Sequence, residues 1–172
     1  MKRVRIFIVA ILSNVLIQCS TNQKMQTVSY VDLPKFMGKW YVIANIPTFI
    51  EKSAYSPVES YSLEKDGTIA TTFTFREGSF SGEEKVYRPK GFVLDPSNAI
   101  WGMQFIWPIK AEYLIAYLDA NYSKTIIARS ARDYVWIMAR TPSLTEEEYN
   151  QLVKMCGSLG YDTSKIVKSF QQ

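Results

Sequence analysis

The sequence predicts an all-β fold, an eight-stranded up-and-down antiparallel barrel with one α-helix after the last strand. Apolar and polar residues alternate over much of the stretch from residue 38 to residue 140, which is typical of half-buried strands. Turn-forming residues interrupt this pattern at short intervals, and no helical segment connects the strands. A meander of this kind exposes two unpaired edges unless it closes on itself. With 172 residues, 47% of them hydrophobic, the chain can form one domain with a sizeable core.

The N-terminal segment is typical of an export signal. Three cationic residues lie within residues 2–5, and residues 6–17 form an apolar stretch interrupted only by Ser13 and Asn14. This stretch is shorter than the about 20 residues of a membrane-spanning helix, so we expect residues 1–18 to be removed as a signal peptide. Removal leaves 17 of the 20 basic residues against 16 acidic ones, so the pI of about 9.0 does not indicate a nucleic-acid partner.

Residues 16–19 resemble the lipobox of bacterial lipoproteins, although Gln18 stands where that motif prefers a small residue. The resemblance implies that Cys19 is lipidated and anchors the mature chain in a membrane. Ser20, in place of an aspartate retention signal, favours the outer membrane by resemblance to Gram-negative lipoprotein sorting. We expect the anchored chain on the periplasmic face. The alternative is an ordinary secretory signal with an incidental cysteine. Residues 19–30 are mostly polar and predict a lipidated cysteine with a flexible tether, and residues 31–172 are predicted to form the domain.

Alternation and turn chemistry place the eight strands of the barrel. Asp66 and Gly67 form a hairpin signature, and Pro89 predicts a bend or bulge within the fourth strand. The first, sixth and eighth strands are apolar on both faces, so one face can point inward while the other is covered from outside. The predicted strands lie near residues 39–46, 58–65, 68–76, 83–94, 99–106, 111–118, 124–130 and 134–140.

A capping box formed by Thr145 and Glu148 precedes an apolar stripe of helical spacing. These features predict a helix from Glu146 to about Ser158 that packs against the outside of the barrel. Cys156 lies on the stripe and is interpreted as a small buried residue, because no histidine or second cysteine accompanies it to make it a nucleophile.

Three motifs carry a resemblance to a known family. Residues 38–41, Gly-Lys-Trp-Tyr, follow a short helical segment at residues 32–36 and resemble the first signature of the lipocalins. Residues 113–119 with Tyr122, and then residues 132–142 just before the helix, resemble further lipocalin motifs in the same order and spacing. The chain is similar in particular to bacterial lipocalins, the outer-membrane lipoprotein branch related to apolipoprotein D, over about residues 30–170.

The resemblance implies a calyx that is open at one end and closed at the other by a short N-terminal 3-10 helix. Trp40 would lie across the floor with the Arg140 guanidinium over its indole ring, and Gly38 would complete this structural signature. Similar bacterial proteins carry Glu where Val42 stands and Phe where Ile109 follows Pro108. The family's ligand preference is therefore not transferred to this chain.

Alternation counted from Trp40 and Arg140 predicts which side chains face the interior. The 24 aromatic residues exceed what one layer of core requires, which favours a cavity, and a barrel filled by these side chains is the alternative. Hydroxyl groups of Tyr113, Tyr117 or Tyr134 would orient a head group near the mouth. The predicted ligand-binding residues are Val42, Phe73, Phe75, Trp101, Met103, Phe105, Tyr113, Ile115, Tyr117, Trp136 and Met138.

The function predicted from these features is binding without catalysis. The chain contains no histidine, which excludes Ser-His-Asp and Cys-His nucleophile pairs and histidine-ligated metals, and we predict no catalytic residue, metal or cofactor. A membrane-anchored lipocalin would bind a fatty acid or lysophospholipid for storage, repair or transport at the bacterial envelope. Each buried methylene contributes about 0.8 kcal/mol to such binding.

Two alternatives remain open at the level of sequence. In the first, the protein is a lipid-modifying enzyme in which Asp133, Glu112 or Glu51 serves as a general acid. The pattern brings no two carboxylates together in the cavity, which disfavours this function. In the second, the protein is a structural or interaction lipoprotein whose strands, apolar on both faces, form a homodimer interface.

Overall fold

The computed structural model describes residues 24–172, which form a ten-stranded antiparallel sheet that closes on itself. The predicted signal peptide and Cys19 lie outside the described residues. In chain order the elements are α1 (Leu33–Phe36), β1 (Gly38–Ile46), β2 (Ala54–Leu63), β3 (Thr68–Glu77), β4 (Glu84–Tyr87), β5 (Lys90–Val93), β6 (Ile100–Ile106), β7 (Ile109–Leu118), β8 (Lys124–Ala128), β9 (Val135–Ala139), α2 (Glu146–Ser158), a 3-10 turn (Thr163–Lys165) and β10 (Val167–Lys168).

The barrel closes through β1, which pairs with β2 on one edge and with β9 on the other. β4 and β5 both pair with β3 and act as one strand interrupted at Pro89, where the sequence predicts a bend. Counted in this way the barrel has eight strands in up-and-down order, and the predicted fold class is confirmed. β10 pairs with the part of β1 that β2 leaves unpaired. The sequence does not predict β10, because a strand of two residues is too short to show a periodic pattern.

Helix α2 covers the outside of the barrel, as predicted. The Thr145 hydroxyl accepts a hydrogen bond from the Glu148 amide at 3.2 Å, and the Glu148 carboxylate accepts one from the Thr145 amide at 3.0 Å. Leu152 and Cys156 of α2 are buried together with outward-facing residues of β1, β7, β8 and β9. The apolar outer faces on which the homodimer alternative depends are therefore covered within the chain itself.

Part of the segment predicted as a tether also lies against the barrel. Met25 is buried in the same outer cluster as α2. The Val28 amide donates a hydrogen bond to the Ile115 carbonyl at 3.0 Å, and the Val31 amide donates one to the Ser97 carbonyl at 2.8 Å. The described chain therefore begins on the barrel wall before it reaches α1.

Helix α1 closes one end of the barrel, which we call the floor. The Phe36 ring is buried, with its centre 5.1 Å from that of Trp40 and 5.4 Å from that of Trp101. The short helix was expected to be a 3-10 helix, and α1 is instead a single α-helical turn. The reason is that the amides of Phe36 and Met37 bond to carbonyls four residues earlier, each at 3.0 Å.

Arg140 joins α1, β1 and the end of β9 at the floor. Its guanidinium carbon lies 3.8 Å from the centre of the Trp40 ring, within the range of a cation–π contact. Gly38 has a φ of +91°, a conformation that favours glycine, and an added Cβ would lie 3.5 Å from the guanidinium. The guanidinium donates hydrogen bonds to the backbone carbonyls of Lys35, Phe36, Met37, Lys39 and Tyr122.

Candidate functional site

A cavity of about 540 Å³ occupies the half of the barrel that lies away from α1. Its walls come from the segment between β1 and β2, from β2, β3 and β6, and from residues around the start of β7 and β9. We call the open end of this cavity the mouth. The volume lies within the range of about 300 to 1,000 Å³ that is usual for small-molecule sites.

Five of the eleven predicted ligand-binding residues line the cavity. They lie on β3, β6, β7 and β9, and all are hydrophobic or aromatic, so they form an apolar wall. These residues are Phe73, Met103, Phe105, Tyr113 and Trp136.

Five others are buried inside the barrel but do not line the cavity. Val42, Trp101, Ile115 and Met138 are packed in one cluster with Trp40 and fill the floor half of the barrel. Phe75 is buried behind Tyr87, and the centres of the two stacked rings are 6.1 Å apart. The barrel is therefore half core and half cavity. The predicted cavity describes the half at the mouth, and the alternative of a barrel filled by side chains describes the half at the floor.

Tyr117, the remaining predicted residue, belongs to the outer cluster beneath α2. The cause is a bulge in β7, where Ile115 pairs with Ile127 and Tyr117 pairs with Ile126. The extra residue reverses the alternation, so Tyr117 faces outward. A second bulge between Val42 and Ala44 has the same effect on β1. Strict alternation predicts neither.

The deep end of the cavity contains polar groups that are absent from the predicted ligand-binding residues. Glu59 of β2 lines the cavity and pairs in register with Trp40 of the floor. The Tyr61 hydroxyl donates a hydrogen bond to the Glu59 carboxyl, and the oxygens of the Tyr61 and Tyr113 hydroxyls are 2.6 Å apart. Burial raises the pKa of Glu59 from 4.5 to about 8, and the charge of Glu51 adds to this shift.

Thr71 of β3 completes this set, which we call the deep polar group (Glu59, Tyr61, Thr71 and Tyr113). Thr71 pairs in register with Tyr61 and lines the cavity. Its side chain is only 3% exposed, and its hydroxyl has no hydrogen-bond partner within residues 24–172. Glu59 could have been found from the sequence, because alternation places it on the same face of β2 as the aromatic Tyr61.

The fold and the cavity agree with what comparison with known proteins shows. A family model described as Lipocalin-like domain matches residues 31–171. The chain belongs to the lipocalin family. Temperature-induced lipocalin-1 of Arabidopsis thaliana is 31% identical over 159 residues, covering 87% of this chain and 84% of that protein. The outer membrane lipoprotein Blc of Escherichia coli K12 is 27% identical, covering 88% of this chain and 87% of that protein.

Two further comparisons place this lipocalin among its relatives. Apolipoprotein D of Bos taurus is 27% identical, covering 78% of this chain and 74% of that protein. The resemblance to bacterial lipocalins of the apolipoprotein D-related branch is thus confirmed. Among solved structures, insecticyanin of the tobacco hornworm Manduca sexta has a TM-score of 0.69 at 16% identity, covering 87% of this chain and 85% of that one. This likeness supports the lipocalin fold.

At the mouth of this lipocalin, Arg129 and Tyr134 line the cavity together. The Arg129 guanidinium carbon lies 5.4 Å from the centre of the Tyr134 ring, and one terminal nitrogen lies 3.3 Å from the Asp133 carboxylate. The Nε of Arg129 is buried and has no hydrogen-bond partner within residues 24–172. A partly exposed cation therefore stands where a ligand would enter.

The three proposed general acids hold structural hydrogen bonds or ion pairs. Glu51 accepts bonds from the Trp136 indole at 2.7 Å, from the Asn45 amide at 3.1 Å, and from both the hydroxyl and the backbone amide of Thr48. Glu112 accepts bonds from the hydroxyl and amide of Ser130, and Asp133 pairs with Arg129. The expectation that no two carboxylates meet in the cavity was wrong, because Glu51, Glu59 and Glu112 all line it.

The rim of the mouth is apolar and exposed. Phe49 is 83% exposed and Trp107 is 82% exposed, and they lie on the segments that follow β1 and β6. Phe105, Ile106 and Ile109 are also exposed next to Trp107. Residues 24–172 include no helix long and apolar enough to cross a membrane.

Proposed function

We propose that this lipocalin binds one fatty acid or lysophospholipid in its cavity and releases it unchanged. The observation that carries the proposal is the 540 Å³ cavity with its mainly apolar wall, open at the mouth. An acyl chain with about ten buried methylenes gains roughly 8 kcal/mol by leaving water, before the cost of association is subtracted. No covalent step is needed for storage, repair or transport of such a molecule.

Arg129 is the residue that we expect to bind the head group of the ligand at the mouth. A guanidinium forms strong, charge-assisted hydrogen bonds with carboxylate or phosphate oxygens, and the Arg129 side chain is partly exposed in the cavity wall. Tyr134 stands beside it and is the one of the three tyrosines predicted to orient a head group that lies near the mouth. Tyr113 lies at the deep end and Tyr117 lies outside the barrel.

The site of action that we propose is the outer membrane, with the chain anchored through Cys19. The lipobox resemblance supports this proposal, and so do the relatives named outer membrane lipoprotein Blc in Escherichia coli, Citrobacter freundii and Vibrio cholerae. The exposed apolar rim at Phe49 and Trp107 suits a protein that exchanges lipophiles close to a membrane surface.

Native mass spectrometry of the mature chain tests whether it carries a lipophile. Residues 24–172 contain both the inner and the outer core, so a chain that begins at Ser20 retains the whole fold and lacks the anchor. We expect a bound species whose added mass matches a fatty acid or lysophospholipid and that dissociates intact. A bound species released as a hydrolysis product would instead support the enzymatic alternative.

A further inference from the structure

The deep polar group is rigidly held at the floor end of the cavity. Tyr61 and Tyr113 both pack against Trp101, with ring centres 5.7 Å and 5.2 Å from its own. Glu59 lies at the level of Trp40 in the strand register, and Thr71 lies opposite Tyr61. Polar atoms that are held in place by buried rings form a preorganised site rather than a mobile one.

The deep polar group has more hydrogen-bonding capacity than the protein uses. A protonated carboxyl group offers one donor and several acceptor positions, and within residues 24–172 Glu59 is bonded only by the Tyr61 hydroxyl. The Thr71 hydroxyl has no partner in the same range, and the Tyr113 hydroxyl bonds only to that of Tyr61. Glu51, by comparison, accepts four hydrogen bonds. The Thr71 hydroxyl is fully buried, and buried polar atoms are rarely left in this condition unless water or a ligand completes them, whereas Glu59 is partly exposed to the cavity and can receive a ligand.

A plain acyl chain fits this end of the cavity poorly. Its terminal methyl group would exclude water from Glu59 and Thr71 without replacing the lost hydrogen bonds, which carries a free-energy cost. A carboxylate fits it poorly as well, because the charge of Glu51 in the same wall would repel it, whereas Arg129 offers a cation at the mouth.

We propose that the deep polar group is a subsite for a hydroxyl group, so that the ligand is an acyl chain hydroxylated at or near the end opposite its head group. The hydroxyl exchanges hydrogen bonds with the free oxygen of Glu59 and with the Thr71 hydroxyl, while the head group stays beside Arg129. This inference rests on the proposed function and deepens it by naming the ligand class. It also fixes the direction of the ligand in the barrel.

Matched pairs of ligands test the subsite on the mature chain. Unsubstituted fatty acids from 10 to 16 carbons are compared with ω-hydroxy acids of the same length by tryptophan fluorescence and calorimetric titration. In an apolar cavity the added hydroxyl weakens binding, by roughly tenfold or more. We expect instead that the ω-hydroxy acid binds at least as tightly as its parent at the chain length that reaches Glu59.

Three variants show whether the preference comes from the deep polar group. Glu59→Leu and Thr71→Val should each lower the affinity ratio of ω-hydroxy acid to parent acid by roughly tenfold, whereas Glu59→Gln, which keeps both hydrogen-bonding functions, should preserve it. Tyr117→Phe removes a hydroxyl from the outer face and serves as the matched control. Calorimetric unfolding of each variant confirms that it is folded before it is titrated.

Each outcome decides a different claim. If the parent acids bind and every ω-hydroxy acid binds more weakly than its parent, the subsite is overturned and the proposed function stands. An unchanged affinity ratio in Glu59→Leu and Thr71→Val overturns it too. If neither series binds, the proposed function fails and the subsite fails with it.

Discussion

The Arg140 guanidinium lies 3.8 Å from the centre of the Trp40 ring and bonds to carbonyls of α1, β1 and the turn after β7. One side chain thereby ties the closing helix to strands from both ends of the sequence. The contact lies on the opposite side of the core from the mouth, so its contribution is to the stability of the floor. The cavity above depends on this floor because a barrel open at both ends would admit water.

Removing this guanidinium should destabilise the fold, although Arg140 does not itself line the cavity. We expect Arg140→Ala to lower the free energy of unfolding by about 2 to 4 kcal/mol, because several hydrogen bonds to a charged group and a cation–π contact are lost. Urea unfolding followed by circular dichroism measures the change. Arg88→Ala, at an exposed arginine, is the matched control and should change stability by less than about 0.5 kcal/mol. Equal stabilities of the two variants would contradict the role of Arg140.

Glu59 should make stability depend on pH. Its pKa is about 8 in the folded chain and 4.5 in the reference state, so between these values the folded chain holds a proton that the unfolded chain has released. Stability should therefore fall as pH rises through this window, by at most about 1.4 kcal/mol per pH unit.

Glu59→Gln removes this dependence, because the amide does not titrate. We expect the stability difference between the variant and the natural chain to move in favour of the variant from pH 5 to pH 8.5, measured by urea unfolding at each pH. A difference that stays constant over this range would show that Glu59 ionises normally in the folded chain.

Arg129 should distinguish acids from alcohols. We expect Arg129→Met to weaken the binding of dodecanoate by about tenfold or more and that of dodecan-1-ol by less than about twofold, since only the carboxylate loses a charge-assisted hydrogen bond. Calorimetric titration gives both affinities. Arg88→Met, which lies outside the cavity lining, controls for the loss of one positive charge. Equal weakening of acid and alcohol would remove Arg129 as the head-group contact.

Cys156 should react only when the chain unfolds. It is buried beneath α2, and burial raises the pKa of its thiol to about 12. A chain that begins at Ser20 contains no other cysteine. We therefore expect no reaction with a disulfide reagent at pH 8 in buffer and one thiol per chain in 6 M guanidinium. Rapid reaction in buffer would mean that α2 opens readily.

The sequence predicts the parts of the fold that depend on local chemistry. The eight strands follow from alternation, α2 follows from the capping box at Thr145 and Glu148, and the meeting of Trp40 with Arg140 follows from the family resemblance. Each of these features is determined by neighbouring residues or by a sequence motif, so it can be predicted without the three-dimensional structure.

The cavity lining is less predictable because it depends on register. One extra residue in β7 turns Tyr117 outward, and one in β1 places Ala44 in the outer cluster. Glu59 was missed because a charged residue between serines and other polar residues of β2 resembles a solvent-facing one. The boundary between the packed core and the cavity depends on the side chains of many strands together. The alternation within a single strand therefore does not predict where the cavity begins.

The affinity of the mature chain for saturated fatty acids of increasing length tests the central claim most directly. Tryptophan fluorescence follows binding, since Trp136 lies in the cavity wall. If acyl chains enter the 540 Å³ cavity, affinity should rise by up to about fourfold per added methylene until the cavity is filled. An affinity that does not change from 8 to 14 carbons would show that the barrel does not take up the chain.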